Sequence, residues 1–446
     1  MADYNFDVFV IGSGSAGQRV ANGLAKEGLS IGMIENREFG GVCALRGCDP
    51  KKVLLQFSNL SEKAKRLKGL GLTQLPAFSW EDMQTFKNTF TEKVPSRTKD
   101  KLLENGVEIF KGNGKFTDQL TFEFDDTKIT AKHFVLANGL SPVKLDIPGE
   151  EHTLTSDQFL NLAHLPKKMI FIGAGYIGME FAHLALNMGC EVIVVDKGER
   201  SLSQFDEEQV LALQSFDKEK GIEFIFEADT QEIEQDGTGF KLTYQKDKET
   251  KSVRGDLIFN VAGRKPNIEM LNPKAANIEH GKKGVKVNKY QQSISNPNIW
   301  AAGDIADSNL PLTPLSSREA KVVVQNILEA ESATNEFGEI PSVVFTTPQL
   351  AQVGMSEKEA LENLDQFEIK TKDKSDTYEA NKENADLFHV KWILEKQTGK
   401  IKGCHIVSPV AAEQINAATT GLSAGMTLKQ LQNIILAYPT WAASIM

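Results

Sequence analysis

Apolar and polar positions set out the same arrangement twice along this chain. Phe6 to Ile11 is a short apolar run of the kind a buried parallel strand makes. It leads into Gly12-Ser13-Gly14-Ser15-Ala16-Gly17, and apolar residues then return at helical spacing as far as Glu27. A second strand is predicted from Ser30 to Ile34, ending at Glu35. Further on come a strand from Met169 to Ile172, the loop Gly173-Ala174-Gly175-Tyr176-Ile177-Gly178, a helix through Leu186, and a strand from Glu191 to Val195 ending at Asp196. Gly12, Gly14, Gly17 and Glu35 recur as Gly173, Gly175, Gly178 and Asp196, all displaced by 161 positions. Such glycines permit a tight turn, close approach of backbone to a pyrophosphate, and close helix–strand packing. The helix start holds the phosphates, and the acid accepts hydrogen bonds from a ribose. Two units of this kind imply two dinucleotides.

The remaining pattern is more mixed. Trp80 to Asn105 is a charged helical stretch, followed by β-rich sequence. Asp256 to Ala262 is predicted as a buried strand ending in the turn Gly263-Arg264-Lys265-Pro266-Asn267. From Glu336 the texture becomes α+β. Trp392 to Lys396 and Lys400 to Val407 flank the hairpin signal Gln397-Thr398-Gly399, and Ala411 to Leu422 has the spacing of an amphipathic helix.

Composition narrows the class. The chain has 446 residues, 41% apolar and 25% charged, enough for two or three domains with full cores. A formal charge of −10 argues against a nucleic-acid or anionic-membrane partner. No apolar run reaches membrane-spanning length, and the opening residues lack the basic region of a signal peptide. Four cysteines with one close pair suggest a reducing compartment, hence a cytoplasmic protein. Cys190 and Cys404 lie in or beside apolar runs and are expected to be inert.

The close pair is the chemical centre. It lies in Gly41-Val42-Cys43-Ala44-Leu45-Arg46-Gly47-Cys48-Asp49-Pro50-Lys51-Lys52, just past the first unit, and a dinucleotide is therefore expected against it. A helix is predicted from Val53, Leu54, Phe57, Leu60, Ala64 and Leu67, with Pro50 in its first turn. Cys48 then sits at or just before the helix start. Regular helix geometry would separate Cys43 from it too widely for a disulfide, whose Cα atoms lie roughly 4.4–6.8 Å apart, so Cys43 is expected in the loop. The helix start and the nearby Arg46 would both lower the Cys48 pKa. The alternatives are two ordinary buried thiols or half a metal site. No second Cys/His pair at ligand spacing supports the metal.

These residues resemble the redox-active disulfide of the FAD-dependent pyridine nucleotide-disulfide oxidoreductases, whose form GGxCxxxGCxPxK is matched at each fixed letter. The resemblance covers nearly the whole chain. It implies an α/β fold of two Rossmann-like domains, for FAD and NAD(P), plus a C-terminal α+β dimerisation domain. The bounds implied are 1–150 and 268–335 for the FAD domain, 151–267 for the NAD(P) domain and 336–446 for the interface domain. The resemblance pairs Cys43 with Cys48 as a redox disulfide and sets Lys51 beside the flavin, with Glu180 as its salt-bridge partner. Tyr176 becomes a lid that the nicotinamide displaces. Cofactor contacts carried over are Gly12, Gly14, Ser15, Gly17, Glu35, Gly41, Lys51, Gly114, Asn138, Gly139, Gly263, Asp304, Leu312 and Thr313, with Gly173, Gly175, Tyr176, Ile177, Gly178 and Asp196 in the second unit. Asn138 stands where the family usually has Thr. The implied enzyme passes electrons between NAD(P)H, FAD and a small-molecule or small-protein disulfide or dithiol, as a homodimer.

One departure bears on mechanism. The family's HPTxxE becomes Tyr438-Pro439-Thr440-Trp441-Ala442-Ala443, so the His base is Tyr438 and its Glu is Ala443. A tyrosine, with pKa near 10, is a poor base at pH 7. Tyr438 then acts as a weak acid and hydrogen-bond donor, or the substrate needs no proton shuttle. Mercuric reductases also lack the His but carry an extra C-terminal cysteine pair, absent here. An NAD(P)H oxidase, diaphorase or transhydrogenase, a metal-ion reductase and a non-enzymatic redox sensor are the competing readings. Asp196 favours NADH over NADPH, with Lys197 and Arg200 close enough to offset it.

Overall fold

The computed structural model describes residues 4–308 and 310–446. The chain folds into two compact units. The first comprises residues 1–53, 84–143 and 263–336, and the second residues 54–83, 144–262 and 337–446.

In the first unit four strands lie parallel in the order Glu108–Lys111, Ile31–Glu35, Phe6–Ile11, Thr127–Leu136. Ile299–Ala301 adds a fifth parallel strand beside Thr127–Leu136. The strand Phe6–Ile11 is almost wholly buried because helices cover one face and an aromatic layer the other. In that layer Phe9 meets Phe110, Phe122 and Phe134 at ring separations of 5.8–6.0 Å. Thr127–Leu136 changes partners along its length. Its first half pairs antiparallel with Thr121–Phe124, and its second half pairs parallel with Phe6–Ile11.

The second unit repeats the parallel order with Ile222–Ile225, Glu191–Val195, Lys168–Ile172 and Leu257–Asn260. The last strand is shorter than the apolar run Asp256–Ala262 suggested. In both units the glycine loop leaves the carboxyl end of a strand where the order reverses, the position at which open α/β sheets bind ligands. The second unit also holds an antiparallel meander, Asp229–Asp236 to Glu249–Gly255, and a five-stranded antiparallel sheet. The hairpin His389–Glu395 and Ile401–Ser408 lies in that sheet, and the helix Ala411–Ser423 buries Ala411, Ile415, Ala418 and Leu422. Both match the sequence expectation.

The charged stretch from Trp80 is two helices, Trp80–Thr91 and Val94–Glu104, the second with Pro95 in its first turn, where the missing N–H costs nothing. Among the described residues no helix is long and apolar enough to cross a membrane.

Candidate active site

The helix carrying the second thiol, Cys48–Leu67, begins at Cys48 as expected. Cys43 does not lie in a loop. It belongs to a separate short helix, Gly41–Arg46. Gly40 and Gly41, at φ +130° and +77°, let the chain enter that turn, and Gly47 separates the two helices. A Cβ on Gly47 would stand 2.9 Å from the Val42 carbonyl oxygen, so only glycine allows the chain to fold back this tightly. A Cβ on Gly41 would stand 2.4 Å from the Gly14 Cα, so glycine also lets the thiol segment lie directly on the first fingerprint loop.

Both cysteines are free thiols, partly buried and hydrogen-bonded to each other. That bond polarises the pair. Cys48 is held down to about 6, first by the hydrogen bond from Cys43, then by the positive charge of Lys51, the Thr313 hydroxyl and Lys52, against the opposing effect of burial. Cys43 is pushed far up, by the same bond and by burial. At neutral pH the pair is therefore a Cys48 thiolate accepting a proton bond from a Cys43 thiol. The Thr313 hydroxyl donates to the Cys43 sulfur at 3.1 Å and lies 3.8 Å from the Cys48 sulfur.

Arg46 Nη1 is 2.5 Å from Glu38 Oε2, and the cations that lower Cys48 most are Lys51 and Lys52. Thr313, the first residue of the helix Thr313–Leu328, was expected as a cofactor contact; its place on the thiols is new. No local signal reveals it, because 270 positions separate it from Cys43.

Glu35 lies at the carboxyl end of its strand, 8% exposed. Its Oε2 accepts the Ser13 N–H at 2.9 Å and the Ser13 hydroxyl at 2.7 Å, and its Oε1 accepts the Arg37 N–H at 2.8 Å. The Ser13 oxygen in turn accepts the Gly40 N–H at 3.1 Å, tying acid, fingerprint and thiol segment together. Gly12 and Gly17 have no room for a side chain, since added Cβ atoms would meet backbone oxygens of Ala137 and Gly12 at 2.5 and 1.9 Å. Gly112–Gly114 joins the same strand end, where the Gly112 N–H bonds the Glu35 carbonyl. Gly114 itself is glycine for packing, because a Cβ would stand 2.3 Å from the Phe122 ring.

Asn138 and Asn267 exchange side-chain-to-carbonyl bonds of 2.7 Å each way. The Gly139 carbonyl accepts the Asn267 N–H, and the Gly263 carbonyl accepts the Val143 N–H. So the departure at Asn138 stitches two sequence-distant segments together. Burial raises the Asp304 carboxyl, while Arg264 and the Ser316 hydroxyl oppose that shift.

The second unit's fingerprint is nearly a copy. Asp196 Oδ2 accepts the Ala174 N–H at 2.7 Å and Oδ1 the Gly198 N–H at 2.6 Å, the same two bonds at the same displacement. Gly173 and Gly178 are as tightly placed as Gly12 and Gly17. Four bonds bind Arg200 to the carbonyls of Ser201, Leu202, Ser203 and Phe205. That leaves the exposed Lys197 as the cation beside Asp196. Tyr176, Ile177 and Gly178 open the helix Tyr176–Asn187, and Glu180 is buried on it with Oε1 accepting the Phe345 N–H at 2.8 Å. Tyr438 is 79% exposed, in a stretch where Ile435 is 98% exposed.

A model of the pyridine nucleotide-disulphide oxidoreductases matches residues 6–324, and a model of that family's dimerisation domain matches residues 340–446. The chain belongs to this family. A mercuric reductase of Lysinibacillus sphaericus is 30% identical over 99% of this chain and 81% of its own length. A glutathione reductase of Pisum sativum is 30% identical over 98% and 81%. A dihydrolipoyl dehydrogenase of Staphylococcus aureus is 30% identical over 97% and 94%. The fold matches the flavoprotein disulfide reductase RclA of Escherichia coli, solved as a Cu(II) complex, with TM-score 0.87 and 24% identity over 100% of this chain and 98% of that one.

As a family member the chain is an NAD(P)H-dependent flavoprotein disulfide reductase that uses FAD. Its residues fit two dinucleotides. The helices Ser15–Lys26, Tyr176–Asn187 and Thr313–Leu328 all begin without a side-chain cap and without an acid in the first turn, leaving N–H groups for anions. Gly175 has nothing within 4 Å of where a Cβ would stand, which leaves bare backbone for a phosphate. The Asn138 Oδ1 is buried with no partner among the described residues.

Proposed function

We propose that this enzyme uses NADH to reduce a small anionic disulfide through Cys43 and Cys48. The observation that carries the substrate class is a groove of about 510 Å³ whose lining includes Gly40 and Ala44, on the segment that bears Cys43. Its volume suits a small-molecule ligand. Arg19, Lys26 and Lys101 line it, and no carboxylate does. Such a groove favours a substrate with negative charge near its disulfide.

Bound FAD supplies the two-electron relay from NADH to the Cys43–Cys48 disulfide. The fingerprint beside the thiols is assigned to FAD and the second to NADH, with Tyr176 and Glu180 in the roles the family resemblance gives them. Asp196 favours ribose hydroxyls there, and the engagement of Arg200 by four carbonyls weakens the case for a 2′-phosphate.

The reduced pair then acts as one thiol and one thiolate. As the Cys43 sulfur attacks the substrate disulfide, its proton passes in the same step to the Cys48 sulfur along their hydrogen bond. That S–S bond breaks, and the first leaving thiolate takes the proton. The Cys48 thiolate then attacks the Cys43 sulfur, closing the protein disulfide and releasing the second half as thiolate. Two electrons and one proton leave the protein. The site thus holds the proton that the family's histidine would otherwise move, which accommodates Tyr438 at that position. The exposure of Tyr438 and Ile435 suits contact with a second copy of the chain through the dimerisation domain.

Anaerobic NADH followed by alkylation and mass measurement should expose two additional thiols. Turnover should be faster with glutathione disulfide than with uncharged hydroxyethyl disulfide. Arg19→Ala should raise KM for the anionic disulfide about tenfold, near the loss of one charged contact, and leave the uncharged one unchanged. If NADH is consumed without new thiols, the oxidase or transhydrogenase reading replaces this one. The chemistry of two adjacent thiols also suits a thiophilic metal ion, and turnover with Hg²⁺ but no disulfide would favour that substrate.

A further inference from the structure

Three residues of one stripe on the helix Tyr176–Asn187, spaced i, i+4 and i+7, meet a single segment of chain. Tyr176 hydrogen-bonds the Ser342 side chain. Glu180 Oε1 accepts the Phe345 N–H at 2.8 Å, and His183 Nδ1 accepts the Thr347 N–H at 3.1 Å. His183 is 2% exposed. With Nδ1 as acceptor, the neutral imidazole must carry its proton on Nε2. That atom lies 3.2 Å from Oδ1 of Asp217, itself buried on the helix Glu207–Lys220.

An apolar side chain would fill this place without the penalty of burying an imidazole and a carboxylate. What the imidazole adds is direction. It fixes the Thr347 amide two residues from the amide that holds Glu180. We propose that His183, with Asp217 beside its Nε2, is a positioning residue that holds Glu180 and Tyr176 in place through the segment from Ser342 to Thr347. The proposal rests on the assignment of Glu180 and Tyr176 to the nicotinamide side.

The test uses the full-length holoenzyme with His183→Leu, which keeps bulk but removes the acceptor, and His183→Asn, whose side-chain oxygen can stand near the Nδ1 position. The Phe345 and Thr347 amides should exchange hydrogen about tenfold faster in His183→Leu, in keeping with a lost buried hydrogen bond. Its kcat should fall about tenfold, with KM for the disulfide unchanged. His183→Asn should restore both to within about twofold. Asp217→Asn, which removes the carboxylate beside Nε2, should fall between the two. Faster exchange with unchanged kcat in His183→Leu would overturn the proposal, as would His183→Asn matching His183→Leu in kcat. If His183→Leu does not fold, the comparison of His183→Asn and Asp217→Asn with the parent decides on the same two readouts. Glu180→Gln separates the layers. If it turns over at the parent rate, the assignment of Glu180 fails, whereas reduced turnover in Glu180→Gln alone leaves the assignment and removes His183.

Discussion

The two fingerprint units share their strand order, their tight glycines and the two backbone bonds to their acids, yet one is closed where the other is open. Ser13 in the first unit gives Glu35 a third bond and receives the Gly40 N–H, while its counterpart Ala174 has no hydroxyl to offer. Gly41 lies against Gly14, whereas nothing stands within 4 Å of a Cβ on Gly175. One loop is walled by its own chain and the other faces open space. That difference suits a dinucleotide that stays and a dinucleotide that must leave in each cycle. The two loops share their glycines, and what differs is the chain around them.

The comparison breaks most sharply at the close thiol pair Cys43 and Cys48, which only the first unit carries. Cys43→Ala should abolish disulfide reduction, a fall of at least about a thousandfold, because no second sulfur remains to close the protein disulfide. It should also remove the main support of the Cys48 thiolate. In the reduced parent, iodoacetamide should label Cys48 rapidly above pH 6 and slowly below it, since the thiolate is lost as pH falls through about 6. In Cys43→Ala that midpoint should move up towards the ordinary thiol value.

Matched glycine changes come next. Gly17→Ala would set a Cβ 1.9 Å from the Gly12 oxygen, and Gly178→Ala one 2.0 Å from the Gly173 oxygen. The first should yield protein without flavin, measured as the absorbance ratio. The second should stay yellow but need about a hundredfold more NADH for reduction, the equivalent of ~2.7 kcal/mol. Equal flavin loss in both would erase the distinction between the units.

Asp196→Ala removes the proposed ribose partner and the two carboxylate oxygens that accept the Ala174 and Gly198 N–H groups. KM for NADH should rise about tenfold, and the NADH/NADPH preference should shrink by as much. The smallest effect sharpens the comparison directly. Ser13→Ala makes the first unit resemble the second, and flavin should dissociate a few-fold faster with stability lower by ~1 kcal/mol in urea unfolding.

The fold was legible wherever a pattern is local. Both strand–loop–helix units, the hairpin around Gly399 and the helix from Ala411 follow from periodicity and glycine placement. Cys48 at a helix start was legible for the same reason. Cys43 was misplaced because a second short helix, bounded by Gly40 and Gly47, satisfies the distance argument without a loop. The pairing of Arg46 with Glu38 was not legible in the sequence. Thr313 on the thiols, Asn267 on Asn138 and Thr347 on His183 lie too far off in sequence for any local rule to join them. They are tertiary facts, and they carry much of the chemistry.

The five parallel strands of the first unit come from three separated stretches of chain, and this sets an order of events during synthesis. Thr127–Leu136 is made long before its neighbour Ile299–Ala301. About 165 residues separate Leu136 from Ala301, roughly 8–33 s of ribosome travel at ~5–20 residues per second. For that interval the nascent sheet has a bare edge of unpaired amides and carbonyls, the kind of surface that recruits other chains. Residues 144–262, a stretch of the second unit, are made in the same interval. A translational pause before residue 299 should therefore lower the yield of folded enzyme more than the same pause after it.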